Sequence, residues 1–131
     1  MRDAVCELQG TSMKIQSYKD LDVWKKGLEI VDKVYNLTKK FPDTERYGLV
    51  VQMQRAAVSI PSNIAEGFRR YHKKEYIQFL YIAQGSCGEL ETQLIISQKR
   101  DYITQKELEG IQENLDHECR MLSNLIKGLR A

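Results

Sequence analysis

Apolar residues recur along most of this chain at spacings of three and four, the period of a helix that buries one face. Residues 1–16 lack that period, and the patterned chain begins soon after Gly10-Thr-Ser. We read 1–16 as a flexible N-terminal extension and 17–131 as one domain. A start at Met13, with an upstream extension before it, is the alternative to a flexible native N-terminus. The first predicted helix spans 21–41, with Leu21, Trp24, Leu28, Val31, Val34, Tyr35 and Phe41 on its buried side and Pro42 as its stop. Asp43 or Thr44 is placed to cap a second helix over 44–69 by accepting from its free N–H groups. A third, over 73–100, carries the stripe Tyr76, Leu80, Ala83, Cys87, Leu90 and Leu94. Within it Gly85 and Gly88 weaken the helix by roughly 1 kcal/mol each but admit a close neighbour. Thr104 and Glu107 form a capping-box pattern. It opens a fourth helix over 105–129, whose Leu108, Ile111, Leu115, Leu122, Leu125 and Leu129 make a nearly strict heptad seam, with Cys119 beside it.

The connections between these segments are only a few residues long, so successive helices must be antiparallel neighbours. The predicted fold is all-α: an up-down-up-down antiparallel four-helix bundle. Helices of about 25 residues would be roughly 37 Å long.

The second helix is the most informative stretch. Val50, Met53, Ala57, Ile60, Ile64 and Phe68 form its apolar stripe, while Arg55, Ser59, Asn63 and Gly67 form a second line at i, i+4. Pro61 lies in the middle. A proline there removes a backbone donor and crowds the carbonyl of Ala57, at about 3 kcal/mol in a regular helix interior. Helical spacing resumes on both sides, which predicts a helix bent at Pro61. The structural alternative is a three-helix arrangement with this segment broken there.

Composition narrows the class further. The 131 residues are 42% hydrophobic and 29% charged, and two prolines and eight glycines favour long helices over many short strands. A net charge of +2 is too mild to imply nucleic-acid binding by itself, so the placement of charge matters more. No apolar run approaches the ~20 residues that span a bilayer, and no signal-peptide pattern opens the chain. Cys6, Cys87 and Cys119 show no metal-like or redox-like spacing. Cys87 and Cys119 fall in apolar stripes, where a thiol packs as a small hydrophobe. The expected setting is the reducing cytoplasm, with no membrane association.

Catalytic and metal chemistry finds no pattern. Di-iron bundles use paired Glu-x-x-His motifs, but Arg69 precedes His72 and Asn114 precedes His117 at that spacing. Neither histidine has a second His or a Cys at i+3 or i+4 for zinc. Ser59, Ser62 and Ser86 have no histidine at plausible range. The expectation is a protein that is not an enzyme and uses no cofactor and no metal.

Two polar constellations remain. Arg55, Ser59, Asn63 and Glu66 on the second helix face Ser86, Glu89 and Gln93 on the third. The expected arrangement is a polar network that fixes register, with Arg55 bridged to Glu89 in the core or at an interface. The second is Arg69, Arg70, Tyr71, Lys73 and Lys74, at the turn between helices two and three. Up-down topology brings Lys14, Lys19, Lys127 and Arg130 to the same end, with Asp20, Asp22, Glu66 and Glu75 as the nearby acids. Cations around an exposed tyrosine suit phosphates and unpaired bases. A solvated turn kept soluble by its charge is the alternative reading.

Four segments in order carry a family resemblance: Tyr18-Lys-Asp-Leu-Asp-Val-Trp24; Phe41-Pro42 with Glu45-Arg-Tyr-Gly-Leu49; Arg55 to Phe68 with its Ser-Ile-Pro-Ser-Asn-Ile-Ala-Glu-Gly block; and Gly85-Ser86 with Glu89-Leu-Glu-Thr-Gln-Leu94. Over 17–130 the chain resembles the bacterial four-helix-bundle proteins called 23S rRNA intervening-sequence proteins. Gly88 departs from the family pattern, where a larger apolar residue is expected. The resemblance implies a homo-oligomer, a pentamer of bundles, with a poorly defined biochemical role. A retroelement accessory protein of related architecture is a basic pentamer that binds nucleic acid and a reverse transcriptase, an analogy of fold alone. Two functions stay open: an oligomer that contacts RNA through its basic end, and a protein-interaction scaffold. Tyr47, Leu49, Phe79, Ile82, Ile95 and Ile96 lie off the main stripes and are the expected surplus apolar surface for assembly.

Overall fold

Four helices form where the periodicity predicts them: α1 (Asp22–Thr38), α2 (Leu49–Phe68), α3 (Lys73–Lys99) and α4 (Gln105–Arg130). The computed structural model describes residues 15–131. The N-terminal extension as far as residue 14, with Cys6 and Lys14, lies outside the described residues. Ile15 is already buried in the core.

The helix ends follow local hydrogen bonding. α1 stops at Thr38, whose hydroxyl donates back to the Val34 carbonyl at 2.9 Å. α2 starts at Leu49, later than expected, because Asp43–Glu45 forms a separate turn of 3-10 helix. The cap expected from Asp43 or Thr44 is replaced by Glu45, which accepts from the Leu49 N–H at 3.2 Å. α2 then runs through Pro61 without interruption, which excludes the three-helix alternative. At the end of α3, Asp101 N–H bonds to Gln98 O and Tyr102 N–H to Ser97 O. That pairing closes the helix with Asp101 in the left-handed region, at φ 63°. The capping box of α4 is complete: Thr104 Oγ1 accepts from Glu107 N–H at 3.0 Å, and Thr104 N–H donates to Glu107 Oε1 at 2.9 Å.

Each helix packs against its neighbours around a ring, α1 on α2, α2 on α3, α3 on α4 and α4 on α1. Specific contacts show that every pair is antiparallel. Gln54 donates to Thr38 at 3.3 Å, Ser59 meets Ser86 at 2.7 Å, and Gln84 donates to Ser123 at 2.8 Å. Lys40, just beyond the end of α1, pairs with Glu107 of α4. Gly67 marks a close approach of α2 to α3: a Cβ there would lie 2.7 Å from Cβ of Phe79. No helix among the described residues is long and apolar enough to cross a membrane.

One core face differs from expectation. Leu28 and Tyr35 are 40% and 43% exposed, and α1 instead buries Val23, Gly27, Ile30, Val34 and Thr38. The face is rotated because Gly27 lets α1 approach Pro61: a Cβ on Gly27 would sit 3.2 Å from Pro61 Cβ. Gly85 and Gly88 show the reverse. Both are exposed, and a Cβ at either would meet nothing within 4 Å, so among the described residues no segment uses the space they leave.

Candidate nucleic-acid interface

The antiparallel ring gathers the start of α1, the α2–α3 turn and the end of α4 at one end of the bundle. Arg69, Arg70, Tyr71, Lys73 and Lys74 are all exposed there. The turn exists because α2 ends at Phe68 and α3 restarts at Lys73, leaving too little chain to fold inward. Tyr71 is 84% exposed and touches the His72 ring edge-on at 5.0 Å between centroids. The Arg69 guanidinium lies 5.6 Å from the Tyr18 ring, tying the turn to the start of the domain. Arg70 is more engaged. It bridges Glu66 at 2.7 Å and lies 4.8 Å from the Phe79 ring.

A surface track continues from this turn. A shallow groove of about 410 Å³ on α3 is lined by Lys74, Ile77, Gln78, Tyr81 and Ile82. Beyond Tyr81 a cleft of about 230 Å³ between α3 and α4 is lined by Gln84, Ser123, Lys127 and Arg130 among others. Arg130 sits 5.6 Å from the Tyr81 ring. Lys127 and Arg130, expected at this end, therefore join a second tyrosine that the linear sequence does not connect with them. Only the α3–α4 register makes that link.

The polar seam forms in part. Ser59 and Ser86 share a hydrogen bond, and the Asn63 amide donates to Ser59 O and Oγ, both at 2.8 Å. The expected Arg55–Glu89 bridge does not form within the chain: both residues are exposed, and no ion pair joins them. Arg55 is too far round α2 to follow Ser59 into the α2–α3 contact. Glu66 faces outward to Arg70 instead of joining the serines. Gln93 is buried, and its Oε1 has no partner among the described residues.

Two features inside the bundle were not singled out from the sequence. Glu118 of α4 is fully buried, and neither carboxyl oxygen has a hydrogen-bond partner among the described residues. It occupies the space left by Gly27, whose Cβ would lie 3.3 Å from Glu118 Oε2. Burial pushes its carboxyl up from 4.5 to about 8, with Cys119 and Glu29 adding to the rise and Lys26 opposing it. The signal was present: in the seam Leu108, Ile111, Leu115, Leu122, Leu125 and Leu129, the heptad position between Leu115 and Leu122 is Glu118. The second feature is the pair Cys87 and Cys119, free thiols on α3 and α4. Among the described residues, no three side chains converge as metal ligands.

Known proteins resemble most of this bundle. The family model for the 23S rRNA-intervening sequence protein matches residues 19–124. A solved structure from Bacteroides thetaiotaomicron VPI-5482, a protein of unknown function from the S23 ribosomal protein family, superposes with a TM-score of 0.74. It is 27% identical, and the match covers 80% of this chain and 98% of that one. No curated protein sequence matches the chain. Four helices in up-down order and a family match across nearly the entire bundle place this chain in the 23S rRNA-intervening sequence protein family.

Proposed function

We propose that this protein is a non-enzymatic cytoplasmic homo-oligomer, a pentamer of bundles, that binds RNA through its basic end. The observation that carries the RNA reading is the α2–α3 turn. Tyr71 stands almost fully out of the protein among Arg69, Lys73 and Lys74, and no acid bridges these three cations among the described residues. The groove past Tyr81 to Lys127 and Arg130 extends the same chemistry along α3. Cations track phosphates, and an exposed ring stacks on an unpaired base for about 1–3 kcal/mol.

Assembly is supported by the outer face of α3. Ile82 and Ile96 are exposed, and Gly85 and Gly88 leave the backbone open between them. Val58 of α2 is a further exposed apolar side chain. Several copies of a weak site on one assembly raise avidity through effective concentration. Light scattering during size exclusion should return a multiple of the 15.2 kDa chain. A monomer at micromolar concentration refutes the oligomer.

Fluorescence anisotropy tests the RNA reading with single-stranded and structured RNA at two salt concentrations. Binding should fall with salt at a log–log slope of about −0.7 per phosphate neutralised on single strands. Changing Arg69, Arg70, Lys73 and Lys74 together to Glu should abolish binding, and Tyr71→Ala should weaken it. If the folded oligomer ignores both RNAs, or the charge-reversed protein binds equally well, the protein-interaction scaffold replaces this reading.

A further inference from the structure

Cys87 and Cys119 lie far apart in the sequence and come together only through the α3–α4 register. The Gln84–Ser123 hydrogen bond, 2.8 Å long, fixes that register. One turn further along each helix, in opposite directions, stand Cys87 and Cys119. That register sets the two cysteines across from each other on packed helices, and each perturbs the ionisation of the other. They also differ in access, since Cys87 is 2% exposed and Cys119 is half-buried.

We propose that Cys87 and Cys119 are a reversible dithiol–disulfide site that staples α3 to α4 when the protein meets a peroxide. Cys119 is the attacking group. The neighbouring Cys87 favours its thiolate against the opposing effects of burial, Asp116 and Glu91. Cys87 keeps its proton, held by Cys119 and by burial, with Glu118 and Glu91 adding to the effect. The Cys119 thiolate attacks one peroxide oxygen and the O–O bond breaks, giving a sulfenic acid and hydroxide. Cys87 sulfur then attacks the sulfenic sulfur: the S–O bond breaks, the S–S bond forms, and hydroxide departs. The proton of the peroxide hydroxyl remains on the sulfenic oxygen, and the two released hydroxides leave as water with the two thiol protons. The thiols lose two electrons and the peroxide gains them. Gly85 and Gly88 flank Cys87 with open space at both Cβ positions, so α3 has local freedom to draw the sulfurs to bonding distance.

The test is hydrogen peroxide treatment of the folded full-length chain, followed by intact mass and non-reducing peptide mapping. The expected product is lighter by about 2 Da, the two thiol hydrogens, and contains a peptide pair joining Cys87 to Cys119. Dithiothreitol should restore the original mass, and the oxidised form should melt at a higher temperature than the reduced form. In Cys87→Ser, dimedone should trap a sulfenic acid on Cys119. In Cys119→Ser, Cys87 should resist the same peroxide treatment. The parent's peptide map decides the matter even where a variant fails to fold. A folded chain that keeps both thiols while the urea-unfolded chain oxidises overturns the proposal. So does a map in which these cysteines link only to Cys6 or to another chain.

Discussion

Replacing Glu118 with Gln should make the protein's stability much less sensitive to pH. The carboxyl sits in the seam of α4 against Gly27, fully buried, with no hydrogen-bond partner on either oxygen among the described residues. Burial raises it from 4.5 to about 8. Below its ordinary value, folded and unfolded chains both hold the proton, and the residue contributes nothing to pH dependence. As pH rises, the unfolded chain releases the proton first while the folded chain retains it. The stability of the fold therefore falls with pH across this window, by about 1.4 kcal/mol per unit. Between pH 5 and pH 8 the loss from this residue alone is roughly 4 kcal/mol. Gln keeps the shape but does not titrate. Urea melts followed by circular dichroism, at fixed protein concentration and at pH 5, 6.5 and 8, measure the difference between parent and variant. Other titrating groups are shared by both proteins and cancel. Glu118→Gln should gain on the parent steadily as pH rises. A gap that stays flat across these three pH values would mean that Glu118 ionises in the folded protein at its ordinary value, and the burial argument would be wrong.

Gly67→Ala should destabilise the bundle by about 1–3 kcal/mol, read in the same urea melts, because the new methyl meets Phe79 Cβ at 2.7 Å and one helix must retreat. Asp101→Gly should stabilise it by roughly 0.5–1 kcal/mol, since Asp101 holds a left-handed conformation at a helix end, where its negative charge also opposes the helix dipole; an unchanged denaturation midpoint would refute this.

The helices were legible because each is long, strongly periodic and punctuated. The Thr104–Glu107 box marks a start that survives in the structure, whereas α1 ends at Thr38, short of the stop expected at Pro42, and short connections leave one antiparallel order. The start of α2 was not legible, because Asp43 and Thr44 resemble caps while Glu45 does the capping from within a 3-10 turn. The basic turn was identified residue by residue, since charge and exposure at a tight turn are local properties. The Arg55–Glu89 bridge is absent within the chain because i, i+4 spacing defines a line along one helix and says nothing of its angle to the next.

By itself the sequence determined the class of fold, the number and order of helices, the family and the cluster of cations around Tyr71. Each depends on period, turn length or composition within a short window. Tertiary structure alone decided which face of α1 is buried, because a missing side chain at Gly27 lets Pro61 in and rotates the helix. It also decided that Glu118 has no partner, that Tyr81 joins Arg130, and that Cys87 meets Cys119. Those outcomes rest on the axial register and rotation of packed helices. A shift of one residue along α4 turns every side chain by about 100°, so contacts between helices are set by the packing of the whole bundle and cannot be read from any one segment.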